Sequence, residues 1–288
     1  MSSGLVNTST SDTPTSVLAS NVHPARSTKS GESYLAAASL HNGSLPEGSL
    51  MIDMHDARLR RMRRSVLTSA SLHQDSLPSG FRAAMVTLTY RQDAEWSPRH
   101  LSGFVKLARQ WLGRRGHRFR YTWVAELTKA GTVHYHIVFW ISRRVRLPKP
   151  DKAGWWPHGM SRIEFARRPV GYLAKYASKG ACGFKLPKGA RMFGAGGFLT
   201  AGRLYRAWRM APSYVRGVCR PADIPQRAVG GGWVLRASGE WFPSFWRVIG
   251  RPPGLIVVVP ARPSWGAECI ASWFYNLHNP VEVPYVRS

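Results

Sequence analysis

"FRYTWVAELTKAGTVHYHIVFWI" spans Phe119 to Ile141 and reads as two strands joined by a short turn. In the first half Phe119, Tyr121, Trp123, Ala125 and Leu127 are apolar or aromatic, and Arg120, Thr122, Val124 and Glu126 alternate with them. The second half keeps that parity: Val133, Tyr135, Ile137, Phe139 and Ile141 share one face, while His134 and His136 lead the other. Side chains alternate faces along a strand, so both imidazoles point one way and Tyr135 the other. A turn centred near Ala130 then sets Glu126 opposite His134 or His136 on the same face. Two neighbouring imidazoles are expensive to bury without a shared purpose.

Outward from this hairpin, "AAMVTLTY" (Ala83 to Tyr90) is an expected strand. "SPRHLSGFVKLARQWLGRRG" is an expected helix, with Ser97 as N-cap, Pro98 at its first position and apolar residues at helical spacing. "DMHDARLRRMRRSVLTSA" reads as a basic helix with Asp53 at its start, where the helix dipole favours an anion. After a Pro-rich loop come a short strand, "SRIEFA", and a helix, "VGYLAKYASKG". "LIVVVPA" (Leu255 to Ala261) reads as a buried strand, and no apolar stretch approaches the ~18 residues of a membrane span.

The chain has 288 residues and carries 41 Lys+Arg against 15 Asp+Glu, a formal charge of +26. That balance points to a polyanion, most simply nucleic acid. Residues 1–46 hold 16 Ser/Thr, two acids and two bases, and are expected to form a disordered tail. All of the net charge therefore falls on residues 47–288. Cys182, Cys219 and Cys269 are too widely spaced for a metal pair or a disulfide framework, which fits a reducing, cytoplasmic setting.

Glu126 is the only acidic residue between Glu95 and Asp151. With His134 and His136 it makes a mixed nitrogen and oxygen set suited to Mg²⁺, Mn²⁺ or Zn²⁺. The plainer reading is a pair of hydrogen-bonded strand histidines with Glu126 as local counter-charge. In "GYLAKYASKG", Tyr172 and Tyr176 are i,i+4 neighbours on one helix face, and Lys175 and Lys179 each follow a tyrosine by three residues. Aromatic packing with two solvated lysines would explain that pattern. A tyrosine hydroxyl is also a competent nucleophile toward phosphate, with an ammonium nearby to stabilise developing charge.

"VTLTY" (Val86 to Tyr90), "HYH" (His134 to His136) and "YLAKYASK" (Tyr172 to Lys179) resemble, in order and spacing, the three motifs of HUH-type rolling-circle replication initiator endonucleases. The repeated Y-x-x-K resembles the two-tyrosine branch found in isometric and filamentous bacteriophages. The resemblance covers roughly residues 80–182. It implies an α+β fold: a central antiparallel sheet of about five strands with helices on one face. It also implies a nicking and joining domain over 47–185, leaving 186–288 as a basic, Trp-rich region of unknown role.

By the same resemblance, His134, His136 and Glu126 hold a divalent metal, Mg²⁺ or Mn²⁺. Tyr172 or Tyr176 attacks single-stranded DNA at a replication origin, giving a 5′-phosphotyrosyl adduct and a free 3′-hydroxyl. Lys175 steadies the phosphate, and Lys179, Arg143 and Arg144 are expected to contact DNA. The chain lacks G-x-x-x-x-G-K-[ST], so unwinding and extension are expected to need host helicase and polymerase, in the cytoplasm of a bacterial host, with no membrane involved. An HUH transposase-like nickase and a non-enzymatic basic nucleic-acid binder are the alternatives. Interleaved Trp and Arg after residue 200 fit base stacking or, equally, a small sheet with core tryptophans. His158, in a loop, either approaches the site or is simply exposed.

Overall fold

A computed structural model describes residues 45–128, 130–179, 186–229 and 231–261. Its centre is a five-stranded antiparallel sheet in the order β5-β2-β4-β3-β6, built from β2 (Phe81–Tyr90), β3 (Arg120–Leu127), β4 (Val133–Ser142), β5 (Gly159–Ala166) and β6 (Phe193–Gly196). The fold is thus α+β with a five-stranded antiparallel sheet, as expected. The fifth strand, β6, comes from beyond residue 185, so the sheet draws on the Trp-rich region as well.

The alternation in the hairpin decides the two cores. Val133, Tyr135, Ile137, Phe139 and Ile141 join Val86, Leu88, Trp123 and Ala125 in one cluster; Val138, Trp140, Val124 and Met85 join another on the opposite face. Helix α1 (Met54–Asp75) packs Leu59, Met62, Val66 and Ala70 into the second cluster, with α3 (Pro169–Lys179) beside it through Leu173 and Ala177. Helix α2 (Pro98–Gly113) packs Leu101, Phe104, Val105, Ala108 and Leu112 onto the first. Helices therefore cover both faces, not one. The odd-numbered face is apolar throughout and has to be covered in its own right.

The expected caps are present. Asp53 accepts from the amides of His55 and Asp56 at 2.7 and 3.1 Å, and Ser97 accepts from Arg99 at 3.3 Å. The basic helix continues to Asp75, past its expected end at Ala70, because its buried stripe runs on to His73.

The remaining elements are β1 (Leu50–Asp53), α4 (Thr200–Met210), α5 (Ser213–Arg216), β7 (Pro225–Arg227), β8 (Trp233–Leu235), β9 (Trp241–Phe242), β10 (Trp246–Gly250) and β11 (Leu255–Pro260). Strand β11 joins β1 and β10 in a second sheet, so residues 50–53 pair with residues 255–258. Strands β7, β8 and β9 form a third sheet over a small core of Val215, Cys219 and Leu235, against which Trp208 and Trp233 pack. Those two tryptophans are core residues, whereas Trp241 and Trp246 are exposed.

Among the described residues no helix is long and apolar enough to cross a membrane. The expected tail, but for its last two residues, and Cys182 and Cys269 lie outside the described residues.

Candidate functional site

Pairing of β3 with β4 sets Glu126 directly opposite His134, and Thr87 of β2 pairs with His136 from the other side. The carboxylate reaches past its own partner: Glu126 Oε2 lies 3.0 Å from His136 Nε2. The two imidazole centroids are 6.3 Å apart. His136 is buried and His134 half-buried. These three side chains share one sheet face because the hairpin turn keeps the even-numbered positions of both strands in register.

Helix α3 brings the tyrosines. Val170, Leu173 and Ala177, spaced by three and four, turn one side of the helix onto the sheet. Tyr172 and Tyr176 flank that seam and close over His136. The Tyr172 hydroxyl is 3.1 Å from His136 Nδ1, and the Tyr176 ring stacks on the imidazole with centroids 3.6 Å apart and planes 24° apart. The tyrosine rings are 4.6 Å from one another. Thr87 Oγ1 stands 3.4 Å from the same Nδ1. Sequence reasoning places Thr87 in a strand and gives it no further role, although its parity within "VTLTY" sets it on the histidine face.

Burial holds the Tyr172 hydroxyl well above the usual phenol range, and a hydrogen bond with Tyr176 adds to this, while one with Thr87 opposes it. Burial pushes the His134 imidazole below its usual value, with the Glu126 charge acting against that. A neutral imidazole is the form that ligates a metal. The donor chemistry of Glu126, His134 and His136 thus suits a divalent cation. Their present spacing is looser: among the described residues no three His, Cys, Asp or Glu side chains are grouped to hold a metal ion. The physical reason is visible in the carboxylate, which is engaged with His136 Nε2.

Other expected residues lie elsewhere. Lys175 is exposed on α3, and the Lys179 side chain lies outside the described residues. Arg143 and Arg144 follow the far end of β4, seven residues or more beyond His136, or about 23 Å at the rise of a strand. They do not join the tyrosine cluster. His158 stacks on His100 with centroids 3.5 Å apart and packs near Tyr90 and Trp156, aromatic residues of the opposite core.

Residues 83–181 match the model of a family of replication-associated proteins, the ORF2 type, which covers about a third of the chain and supports a role in initiating replication. The match runs from β2 through α3, so it takes in Glu126, both histidines and both tyrosines. Searches of curated proteins and of solved structures give no match.

Proposed function

We propose that this replication-associated chain nicks single-stranded DNA at an origin through Tyr172 or Tyr176, and rejoins the ends. The convergence of two tyrosines on His136, within the span of the family match, carries the proposal. In the forward step the phenolic oxygen bonds to phosphorus and gives up its proton, while the bond from phosphorus to the 3′-oxygen breaks. The departing 3′-oxygen takes a proton. The products are a 5′-phosphotyrosyl adduct and a free 3′-hydroxyl, and the reverse step, with another 3′-hydroxyl as nucleophile, rejoins DNA.

Each residue has a part. His136, carrying its proton on Nδ1, donates to the Tyr172 oxygen and offsets some of the cost that burial places on the phenolate. Glu126 on Nε2 fixes the ring orientation, a carboxylate–imidazole pairing that also orients metal ligands. Lys175 would neutralise the phosphate from the solvent side. The second tyrosine allows a second transfer while the first is occupied. His134, His136 and Glu126 would hold a divalent cation, which when bound supplies Lewis-acid polarisation of the scissile phosphate.

The test is incubation of the full chain with end-labelled single-stranded oligonucleotides, with and without Mg²⁺ or Mn²⁺. The expected product is protein attached to the 5′ end of the downstream fragment. Binding without any adduct would leave a non-enzymatic basic DNA-binding protein, in which the tyrosines serve packing alone.

A further inference from the structure

Beyond Trp140, on the same sheet face as His136, α1 and α4 leave between them a cleft of about 790 Å³, a size typical of ligand sites. Four guanidinium groups line it, those of Arg64, Arg118, Arg120 and Arg209, against one carboxylate, Asp75. Two are held in place: Arg118 Nη2 donates to Gly197 O at 2.7 Å, and Arg120 Nη1 to Ser76 O at 3.1 Å.

The apolar wall is a stack of rings. Phe198 lies 4.2 Å from His73 and 7° from parallel, and His73 rests 4.8 Å from Trp140. Arg206, bonded to Ser65 and Ser69 at 2.9 Å each, sits 5.8 Å from the Phe198 centroid. Tyr205 adds an exposed ring to the lining. In the same wall His73 Nε2 is buried without a hydrogen-bond partner, which is costly for a polar atom. A bare phosphate would leave the rings unused, and an apolar ligand would leave the cations unused. Fixed cations beside aromatic faces suit a planar base carrying phosphate.

We infer that this cleft binds one nucleotide of single-stranded DNA, with its base against Phe198 and Tyr205 and its phosphates on the arginines. The inference rests on the reading that the chain acts on single-stranded DNA, and adds a subsite separate from the tyrosines. Trp140 lies four residues along β4 from His136, about 13 Å, so a strand held at the tyrosines reaches the cleft within a few nucleotides. A base must be unpaired to enter, which selects a single strand over a duplex.

Two full-chain variants test this by different routes. Arg64→Gln/Arg118→Gln removes two exposed charges, and Ala201→Trp fills the cleft from an exposed position without altering charge. Affinity for a fluorescent oligo-dT is measured against salt. Both variants are expected to bind roughly ten-fold or more weakly. Only the arginine variant should lose salt dependence, by about 1.4 in the log–log slope for two phosphate contacts. Wild-type affinity in both, with unchanged melting temperatures, would overturn the subsite. So would tighter binding of free thymidine monophosphate than of the oligonucleotide, which would make the occupant a free nucleotide.

Adduct formation is scored separately. If wild type binds oligo-dT without forming an adduct while the cleft variants bind it weakly, nicking fails and the subsite stands. If adducts form while the variants bind normally, nicking stands and the subsite fails.

Discussion

The Tyr172 hydroxyl is half-buried and hydrogen-bonded to His136, whereas Tyr176 meets the same imidazole through its ring face. The two are therefore unequal as they stand, yet only one helical turn, about 6 Å along the axis, separates them. Phe keeps either ring and removes only the nucleophile. Each single Tyr→Phe variant is expected to retain some nicking and to lose the paired cleavage and joining that releases a circle. The double variant should bind oligonucleotide as wild type does and form no adduct. An adduct in the double variant, found by mass spectrometry on another residue, would move the nucleophile. The Tyr172 and Tyr176 pair, His134, His136 and Glu126 can be picked from the sequence because their spacings are those of regular elements: two in a strand, four in a helix. Thr87 is harder to see. A threonine in a strand gives no signal until the partner strand brings His136 beside it.

Among the elements, the strands and helices of residues 81–179 are legible for the same reason: long, periodic runs bounded by Ser97, Pro98 and Gly113. Which face α2 covers is not, since its stripe fits either side of a sheet. Strand β6 is illegible. "FGAG" is four residues with two glycines, and its role appears only in pairing with β3. There a Cβ at Gly194 would lie 2.5 Å from Trp123 Nε1, and one at Gly196 would lie 2.6 Å from the Tyr121 ring. Trp123 is buried and braced edge-on by Tyr135 at 5.8 Å, so it has little room to give. Gly194→Ala should cost about 1–3 kcal/mol by overpacking. Chemical denaturation with an unchanged midpoint would show that β6 is not docked as described.

His73 makes a pH prediction at the same scale, where α1 meets the sheet. Burial first, and then Arg120, lower its pKa from 6.5 to about 4. The folded value is the lower one, so the associated stability is full above pH 6.5. It drains as pH falls toward 4, because only the unfolded chain takes up the proton. The swing is on the order of 3 kcal/mol. His73→Phe should lower stability at pH 7, yet flatten the decline between pH 6.5 and 4. An identical decline in both proteins would assign it to other groups.

At the scale of the whole molecule the charge is the main fact. Residues 47–288 hold 39 bases and 13 acids, spread over every layer of the structure. The sheets tie distant segments together, β1 to β11 and β3 to β6, so this charge belongs to one continuous body of pairing. A polyanion bound to such a surface releases a counterion for each phosphate neutralised, with a log–log slope of about −0.7 per contact on single strands. Five or six contacts would give a slope near −4 for oligo-dT between about 50 and 200 mM salt, and a loss of more than a hundred-fold in affinity. Tyr172→Phe/Tyr176→Phe should leave that slope unchanged, because it removes no charge. Each arginine that touches phosphate should reduce it by a single step when replaced by glutamine. The slope therefore counts contacts that the adduct assay cannot see. A value near zero would mean that the cationic surface faces a partner other than DNA.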